Sequence, residues 1–489
     1  MNLLSSPRVT ETLDAIAATY AVPQTAAGSA LERFFWLHGT RGSDPTAPLR
    51  IYPSFHAQPK PGPPPVRLCN LVLQGGGTLG LAHAGFVTGL EAAGVRFAGL
   101  AGTSAGSILA MGIAAIRGHD ITRATHPELV TLADTAPMDT FIDGPRPLRI
   151  LIKRLLKGGS LAAPRRWPDC LAALKRLRDR RGLNPGTAFE TWFSDVLAQH
   201  GCRTIDDLLA ALAAVWDDLA DLRDTRPLGP DSAPALRHPY PSDTASDQNP
   251  GTTLLQLISM AMPVGMKFKL PQDLYYLSPE YQRITPARLV RTSMSIPAFF
   301  DPVVMQTNPA TWRQRVKTDV SDLMTASQSA RFEELKELLF LDGGMMSNLP
   351  SDSFREMMPD VPTIVVPLVN GKAAPEIARR RKFSDLATDI GACISAVRLQ
   401  RDRETWAQNG PLRTAFDRAE NSAPDVRSGQ RVARRYPVEI APIDTGDANW
   451  LNFVMSATEK ADLFHAGLLR AQALLKSLNA GDVNDGPTA

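Results

Sequence analysis

At 489 residues the chain has room for about three average domains, or for one large core carrying insertions. Its 53 Lys and Arg against 50 Asp and Glu leave a net charge of only +3, which excludes a polyelectrolyte role and argues against nucleic acid as a partner. Hydrophobic residues at 44% and charged residues at 21% are the proportions of a folded globular protein, whereas 40 prolines demand long loops or linkers.

In chain order, Pro7 in a first turn behind Ser6 predicts a helix over residues 7–20, and a second is expected over 25–37, ending in Phe34-Phe35-Trp36-Leu37. The pair reads as a small N-terminal helical appendage, residues 1–42. Eight prolines between Pro45 and Pro65 fix φ and remove donors, so 43–65 is expected to be an extended linker. The main domain is expected over 66–478. The apolar run 68–73 predicts a buried strand, followed by a glycine turn and a helix over 79–93 closed by Gly94. A second strand over 95–101, a turn at Gly102 to Gly106 and a helix through Ile116 complete a β-α-β-α pattern that suits a parallel sheet covered on both faces. The apolar window from Ala98 to Ile116 is long enough to cross a bilayer, but Gly99, Gly102, Gly106 and Gly112 make it a buried strand, turn and helix.

Residues 120–225 read as mostly helical, and 226–251 as an exposed loop rich in Pro, Ser and Asp. Together they predict a large helical insertion over about 120–250. Strand character resumes at 267–277, 339–341, 363–368 and 438–443, a last helix is expected over 459–478, and 479–489 should fray. Cys69, Cys170, Cys202 and Cys393 are far apart without Cys-x-x-Cys spacing, so neither zinc nor a disulfide framework is expected. The N-terminus lacks a basic region followed by an apolar stretch, which argues against a secretory signal. A cytoplasmic location with peripheral contact to the inner membrane face is the expectation.

Gly75, Gly77 and Gly80 match the Gly-x-Gly-x-x-Gly dinucleotide fingerprint. That reading needs an acidic side chain about twenty residues on, yet nothing acidic lies between Glu91 and Asp120. A phosphate-binding P-loop fails too, since no Gly-Lys-Ser or Gly-Lys-Thr closes the motif. At the second strand end stands Gly102-Thr103-Ser104-Ala105-Gly106, a Gly-x-Ser-x-Gly turn whose small residues let a strand reverse into a helix and expose Oγ. The neighbouring glycine turn offers backbone N–H groups for a developing oxyanion. For a base, a histidine triad would have to use His465, placed inside a predicted helix. Asp342, at a strand end before Gly343 and Gly344, is the better candidate, and suggests a two-residue Ser104 and Asp342 site. His83, His119 and His126 read as packing or surface residues.

These residues resemble the patatin-like phospholipase family, in its bacterial form. Gly75-Gly76-Gly77-Thr78-Leu79-Gly80 looks like its oxyanion motif, Gly102 to Gly106 like its nucleophile elbow, and Asp342-Gly343-Gly344 like its Asp-Gly-Gly motif. Residues 291–300 and 451–456 are also similar to family segments. The resemblance implies an α/β three-layer fold with a mainly parallel central sheet. It implies hydrolysis of phospholipid or other acyl-ester lipids by Ser104 and Asp342, with the oxyanion held by Gly75, Gly76, Gly77, Thr78 and Gly80, and neither metal nor cofactor. The alternatives are an effector switched on by a nucleotide signal or a partner, as in some bacterial relatives, and a catalytically idle lipid-binding member. Oligomeric state is not legible. Between Arg146 and Arg181 lie twelve basic residues against Asp169 and Asp179, interleaved with leucines and isoleucines. That is the make-up of a helix resting on an anionic bilayer, or of a solvated face paired with acids elsewhere.

Overall fold

The computed structural model describes residues 3–21, 31, 34–38, 66–156, 167–219, 254–280, 284–319, 325–354, 358, 361–369 and 438–480. The expected linker 43–65, the expected loop 226–251 and residues 481–489 of the tail expected to fray over 479–489 lie outside the described residues, while Asn479 and Ala480 end the last helix. Thirteen strands are described: β1 (Trp36–His38), β2 (Val66–Leu73), β3 (Val95–Thr103), β4 (Gly182–Asn184), β5 (Leu255–Met262), β6 (Met266–Pro271), β7 (Ala298–Phe300), β8 (Val303–Gln306), β9 (Glu337–Asp342), β10 (Thr363–Val366), β11 (Leu368–Val369), β12 (Val438–Ile440) and β13 (Ile443–Asp444). Nine of them form one sheet, along the path β12-β10-β2-β3-β5-β9-β8, with β1 beside β2 and β6 beside β5.

From β12 to β5 every pairing is parallel. β9 and β6 run antiparallel to β5, and β8 antiparallel to β9. Every residue of β2 and all but one of β3 are buried, the signature of central strands covered on both faces. The architecture is the expected mainly parallel α/β sheet between helical layers.

The helices are α1 (Pro7–Tyr20), α2 (Gly80–Ala92), α3 (Ala105–Arg117), α4 (His126–Thr135), α5 (Arg146–Leu156), α6 (Trp167–Arg180), α7 (Thr187–Gln199), α8 (Ile205–Asp218), α9 (Pro286–Ser293), α10 (Pro309–Asp319), α11 (Ala326–Glu333) and α12 (Ala457–Ala480). α2 and α3 are the crossovers β2-α2-β3 and β3-α3-β5, and α12 packs along α2. A Cβ at Gly467 would fall 1.9 Å from the Ala82 carbonyl oxygen, so only glycine lets these two helices approach so closely. α1 leans on α12 and α2 through the buried Val9 and Ile16. Ser6 occupies its N-cap position without a capping hydrogen bond from its side chain.

Several elements differ from the sequence expectation. Residues 36 and 37, the end of the second predicted helix, belong instead to the edge strand β1, paired antiparallel to the start of β2. Backbone donors left open there are satisfied by sheet pairing, which outweighs the weak local helical preference of aromatic residues. The predicted strand 267–277 ends at Pro271 and continues as a short 3₁₀ turn, Gln272–Tyr276. No expected strand covers β5: Leu-Gln-Leu-Ile-Ser-Met-Ala-Met is almost wholly buried, so it lacks the apolar-polar alternation that marks a half-exposed strand.

Candidate active site

The registers of β5 build the site. β6 occupies one edge of β5 from Gln256 to Ala261. On the opposite edge β3 pairs with Leu255 to Ile258, and β9 takes over from Ser259 to Met262. The two strands run toward each other. Their ends therefore meet on consecutive residues, Thr103 opposite Ile258 and Asp342 opposite Ser259. Ser104, the next residue after β3, is thus delivered to the end of β9, where Asp342 stands.

Ser104 holds the turn between β3 and α3 at φ 51° and ψ −116°, a conformation that glycine adopts readily and an L-residue does not. A Cβ at Gly102 would lie 2.4 Å from the Gly106 carbonyl, and one at Gly106 would lie 2.3 Å from the Leu73 oxygen, so the elbow closes on itself and on β2. The Ser104 N–H donates to Ser293 Oγ at 3.0 Å, and that hydroxyl donates onward to the Ile258 carbonyl at 2.5 Å. Ser107 Oγ donates to the Ser104 carbonyl at 2.5 Å. The backbone around the serine is held on both sides, and the residue keeps only 4% of its surface exposed.

Asp342 is fully buried. Its Oδ1 accepts from the Gly344 N–H at 2.8 Å, and its own N–H donates to the Ser295 carbonyl at 2.9 Å. A Cβ at Gly343 would sit 2.0 Å from the Ile258 oxygen, so the chain turns away tightly against β5. Among the described residues, Ile258 is where the elbow, the Ser293 hydroxyl and the Asp-Gly-Gly turn all converge.

The glycine turn after β2 lies beside the elbow, since β2 and β3 are neighbours with Leu73 opposite Gly102. A Cβ at Gly75 would be 3.3 Å from Ser104 Cβ, and one at Gly80 would be 3.0 Å from Ala105 Cβ. The five expected oxyanion residues are not equivalent. The Gly75 N–H donates to the Asn348 carbonyl at 2.9 Å and the Thr78 N–H to the Trp450 carbonyl at 2.9 Å, while the Gly80 N–H turns back to Gly77 and Thr78. Among the described residues, the N–H groups of Gly76 and Gly77 donate to no protein acceptor.

Three residues support the site: Arg291 and Ser293, which the sequence marks only as part of the segment 291–300, and Asn348, which it does not mark. Asn348 clamps Gly75 by a second bond, Nδ2 to the Gly75 carbonyl at 3.1 Å. Ser293 bridges elbow and β5. Arg291 is buried, donates to Ser295 Oγ at 2.7 Å and to the Pro185 and Asp301 carbonyls at 2.8 and 2.7 Å, and lies 4.8 Å from the Phe300 ring centroid. Burial pulls its pKa down to about 10. The signals were present, an Asn-Leu-Pro shortly after Asp342 and serines at alternate positions 293 and 295, but polar residues in loops mark no partner until the partner is placed.

The histidines stand apart. His465 lies on α12 with Nε2 3.2 Å from Thr12 Oγ1 on α1, on the side of the molecule formed by the N-terminal helix. His83 is buried on α2 with Nε2 3.2 Å from the Val366 carbonyl, and desolvation lowers its pKa from 6.5 to about 4. His126 packs by the buried Glu91, which accepts the N–H groups of Thr125 and His126, both at 2.6 Å.

Fold and site together define an α/β protein that sets a serine on a strand-to-helix elbow next to a strand-end carboxylate and a glycine-rich turn. A family model described as patatin-like phospholipase matches residues 71–355, and the chain belongs to that family of lipid hydrolases. Over 410 residues it is 25% identical to the uncharacterized protein YqhO of Bacillus subtilis (strain 168), covering 83% of this chain and 97% of that one. Among solved structures, VipD from Legionella pneumophila is similar over 84% of this chain and 67% of that one, at 15% identity and a TM-score of 0.32. Among the described residues no helix is long and apolar enough to cross a membrane.

Proposed function

We propose that the protein is a serine lipid acyl hydrolase of the phospholipase A or lysophospholipase type, working through Ser104 and Asp342 at a membrane surface. The observation that carries this reading is the convergence of β3 and β9 on Ile258 and Ser259, which brings the strand ends carrying the elbow serine and the buried carboxylate to adjacent positions of β5. Ser104 Oγ attacks the ester carbonyl carbon while its proton passes to Asp342. The resulting oxyanion is received by the N–H groups of Gly76 and Gly77, a type of contact worth roughly 10²–10³ in rate per donor. Collapse breaks the C–O bond, the departing alkoxide takes the proton back from Asp342, and the fatty acyl group stays on Ser104. Asp342 then deprotonates a water that attacks the acyl-enzyme, releasing the fatty acid and restoring the serine.

Gly75, Thr78 and Gly80 shape the turn in this reading, because their N–H groups are spent on it. Retention of both Ser104 and Asp342 opposes a catalytically idle lipid binder. The test is incubation of the purified protein with a phospholipid mixture, with lysophospholipid and free fatty acid read by mass spectrometry and Ser104→Ala as control. A fluorophosphonate should label Ser104 alone. Fatty acid release by the alanine variant at the wild-type rate would refute the assignment.

A further inference from the structure

Within 146–181 the described basic residues up to Arg180 lie on the two helices α5 and α6, and the structure separates the anchored side from the open one. On α6, Arg176 reaches inward, donating to both carboxylate oxygens of Asp301 at 2.9 and 3.1 Å and to the Leu183 carbonyl at 3.0 Å. Leu171, Leu174, Lys175 and Arg178 follow at i, i+3, i+4 and i+7, which is a single stripe of a helix, and all four are exposed. Leu171 and Leu174 keep 63% and 61% of their surface in water. On α5, Leu148, Leu151 and Ile152 are buried, while Ile150 is 59% exposed with Arg149 and Arg154 exposed as well.

The cations on this surface are largely uncommitted. Lys153 pairs with Asp139 and Arg178 only with its own neighbour Asp179. Among the described residues, Arg146, Arg149, Arg154 and Arg181 form no ion pair, and Lys175 and Arg180 feel Asp179, and Arg180 also Asp301, only beyond ion-pair distance. Exposed leucines beside exposed cations in excess of the local acids match the chemistry of one surface above others: apolar acyl chains beneath anionic phosphates.

We propose that the outer stripe of α6, together with the exposed side of α5, docks the protein onto an anionic phospholipid bilayer, with Leu171 and Leu174 entering the acyl boundary. The proposal rests on the lipid acyl hydrolase reading for its purpose, and names the surface by which that enzyme meets its substrate. The helix is also tied to the site. Arg176 holds Asp301, whose carbonyl is held by Arg291; Arg291 holds Ser295, whose carbonyl receives the Asp342 N–H. A docked α6 is thereby fixed relative to the base.

The test is sedimentation of the full chain with sucrose-loaded vesicles of phosphatidylcholine alone or mixed with phosphatidylglycerol. Wild type should partition onto the mixed vesicles and release as salt rises. Leu171→Ser/Leu174→Ser should lose roughly tenfold or more of that partitioning, the transfer free energy of two leucines that no longer enter the bilayer. Lys175→Glu/Arg178→Glu should lose a similar factor at low salt, at roughly fivefold or more per cation, and converge on wild type at high salt. Both double variants should melt like wild type and hydrolyse a soluble short-chain ester unchanged.

Wild-type binding by either variant would overturn the proposal, as would equal wild-type binding to neutral vesicles. Parallel loss of soluble-ester hydrolysis would show a structural role instead. Indifference to both vesicles, with α6-dependent binding of an acidic protein, would replace lipid by a protein partner. Leucine-dependent vesicle binding without hydrolysis of any ester would leave the docking surface standing and refute the hydrolase, and hydrolysis without docking would do the reverse.

Discussion

Replacing Ser104 by alanine and, separately, by glycine distinguishes the chemistry of the residue from the strain of its backbone. At φ 51° and ψ −116° the side chain's Cβ crowds the backbone, and a residue held in such a region costs on the order of 1–3 kcal/mol. Alanine keeps the Cβ and therefore keeps the strain. Glycine removes it, but its unfolded chain is freer, which costs about 0.5–1 kcal/mol. The difference leaves Ser104→Gly more stable than Ser104→Ala by about 1 kcal/mol, or about 2 °C in melting temperature for a large domain. Differential scanning calorimetry at one scan rate reads the stability, and fatty acid release reads the chemistry. Both variants should be inactive while the glycine variant melts higher. A glycine variant melting at or below the alanine variant would refute the strained elbow, and activity in either would refute the nucleophile.

Asp342→Asn should lower fatty acid release by roughly 10²–10⁴-fold, the worth of a positioned base, because the amide still accepts from Gly344 N–H but cannot take the serine proton. His465→Ala should leave the rate unchanged; a comparable loss in a folded His465 variant would require a triad. His83 gives a pH prediction. Its folded pKa of about 4 lies below the ordinary 6.5, so between those values the unfolded chain binds the extra proton and stability falls as pH falls from 6.5 to 4. The full effect is about 3 kcal/mol. Melting temperature against pH should flatten across that window in His83→Gln, and an unaltered slope would rule His83 out as its source.

The parts of this molecule that could be read from its sequence are those whose physics is local. Glycines at fixed offsets between an apolar run and a helix pattern report a tight turn by themselves, which is why Gly75 to Gly80, Gly102 to Gly106 and Asp342 to Gly344 could be picked out before their places were known. Pairing is a different matter. Residues 36–38 become an edge strand only because the start of β2 offers an unfilled edge, and nothing in Trp-Leu-His announces that. The proposed oxyanion donors are a similar case. Which N–H groups of the glycine turn stay free depends on the Asn348 carbonyl, which takes that of Gly75, and on the Trp450 carbonyl, which takes that of Thr78, residues that come close only in the folded chain. Likewise the basic stretch 146–181 was visible as a whole, but only the burial of Leu148, Leu151 and Ile152 and the Arg176 to Asp301 bridge decide which side of it faces outward.

The strand that local patterning could not see is the one on which the site depends. β5 is central and buried on both faces, so its sequence carries no alternation, yet one of its edges receives β3 from one direction and β9 from the other. This arrangement needs no sequence proximity between Ser104 and Asp342. It lets the helices α4 to α8 intervene between β3 and β5 without moving Ser104 from Asp342, because the two positions are set by hydrogen-bond register and not by the length of the connection. The same edge explains why Ser293 and Ser295 belong to the site: α9 ends against β5, where Ser293 links the Ser104 N–H to Ile258, and the Ser295 carbonyl then secures the Asp342 N–H. A one-residue slip of β9 along β5 would break the Ser295 to Asp342 link and turn the aspartate's side chain to the opposite face of the sheet, and a slip of β3 would break the Ser104 to Ser293 to Ile258 link. Register at Ile258 and Ser259 is therefore the structural quantity on which the chemistry rests.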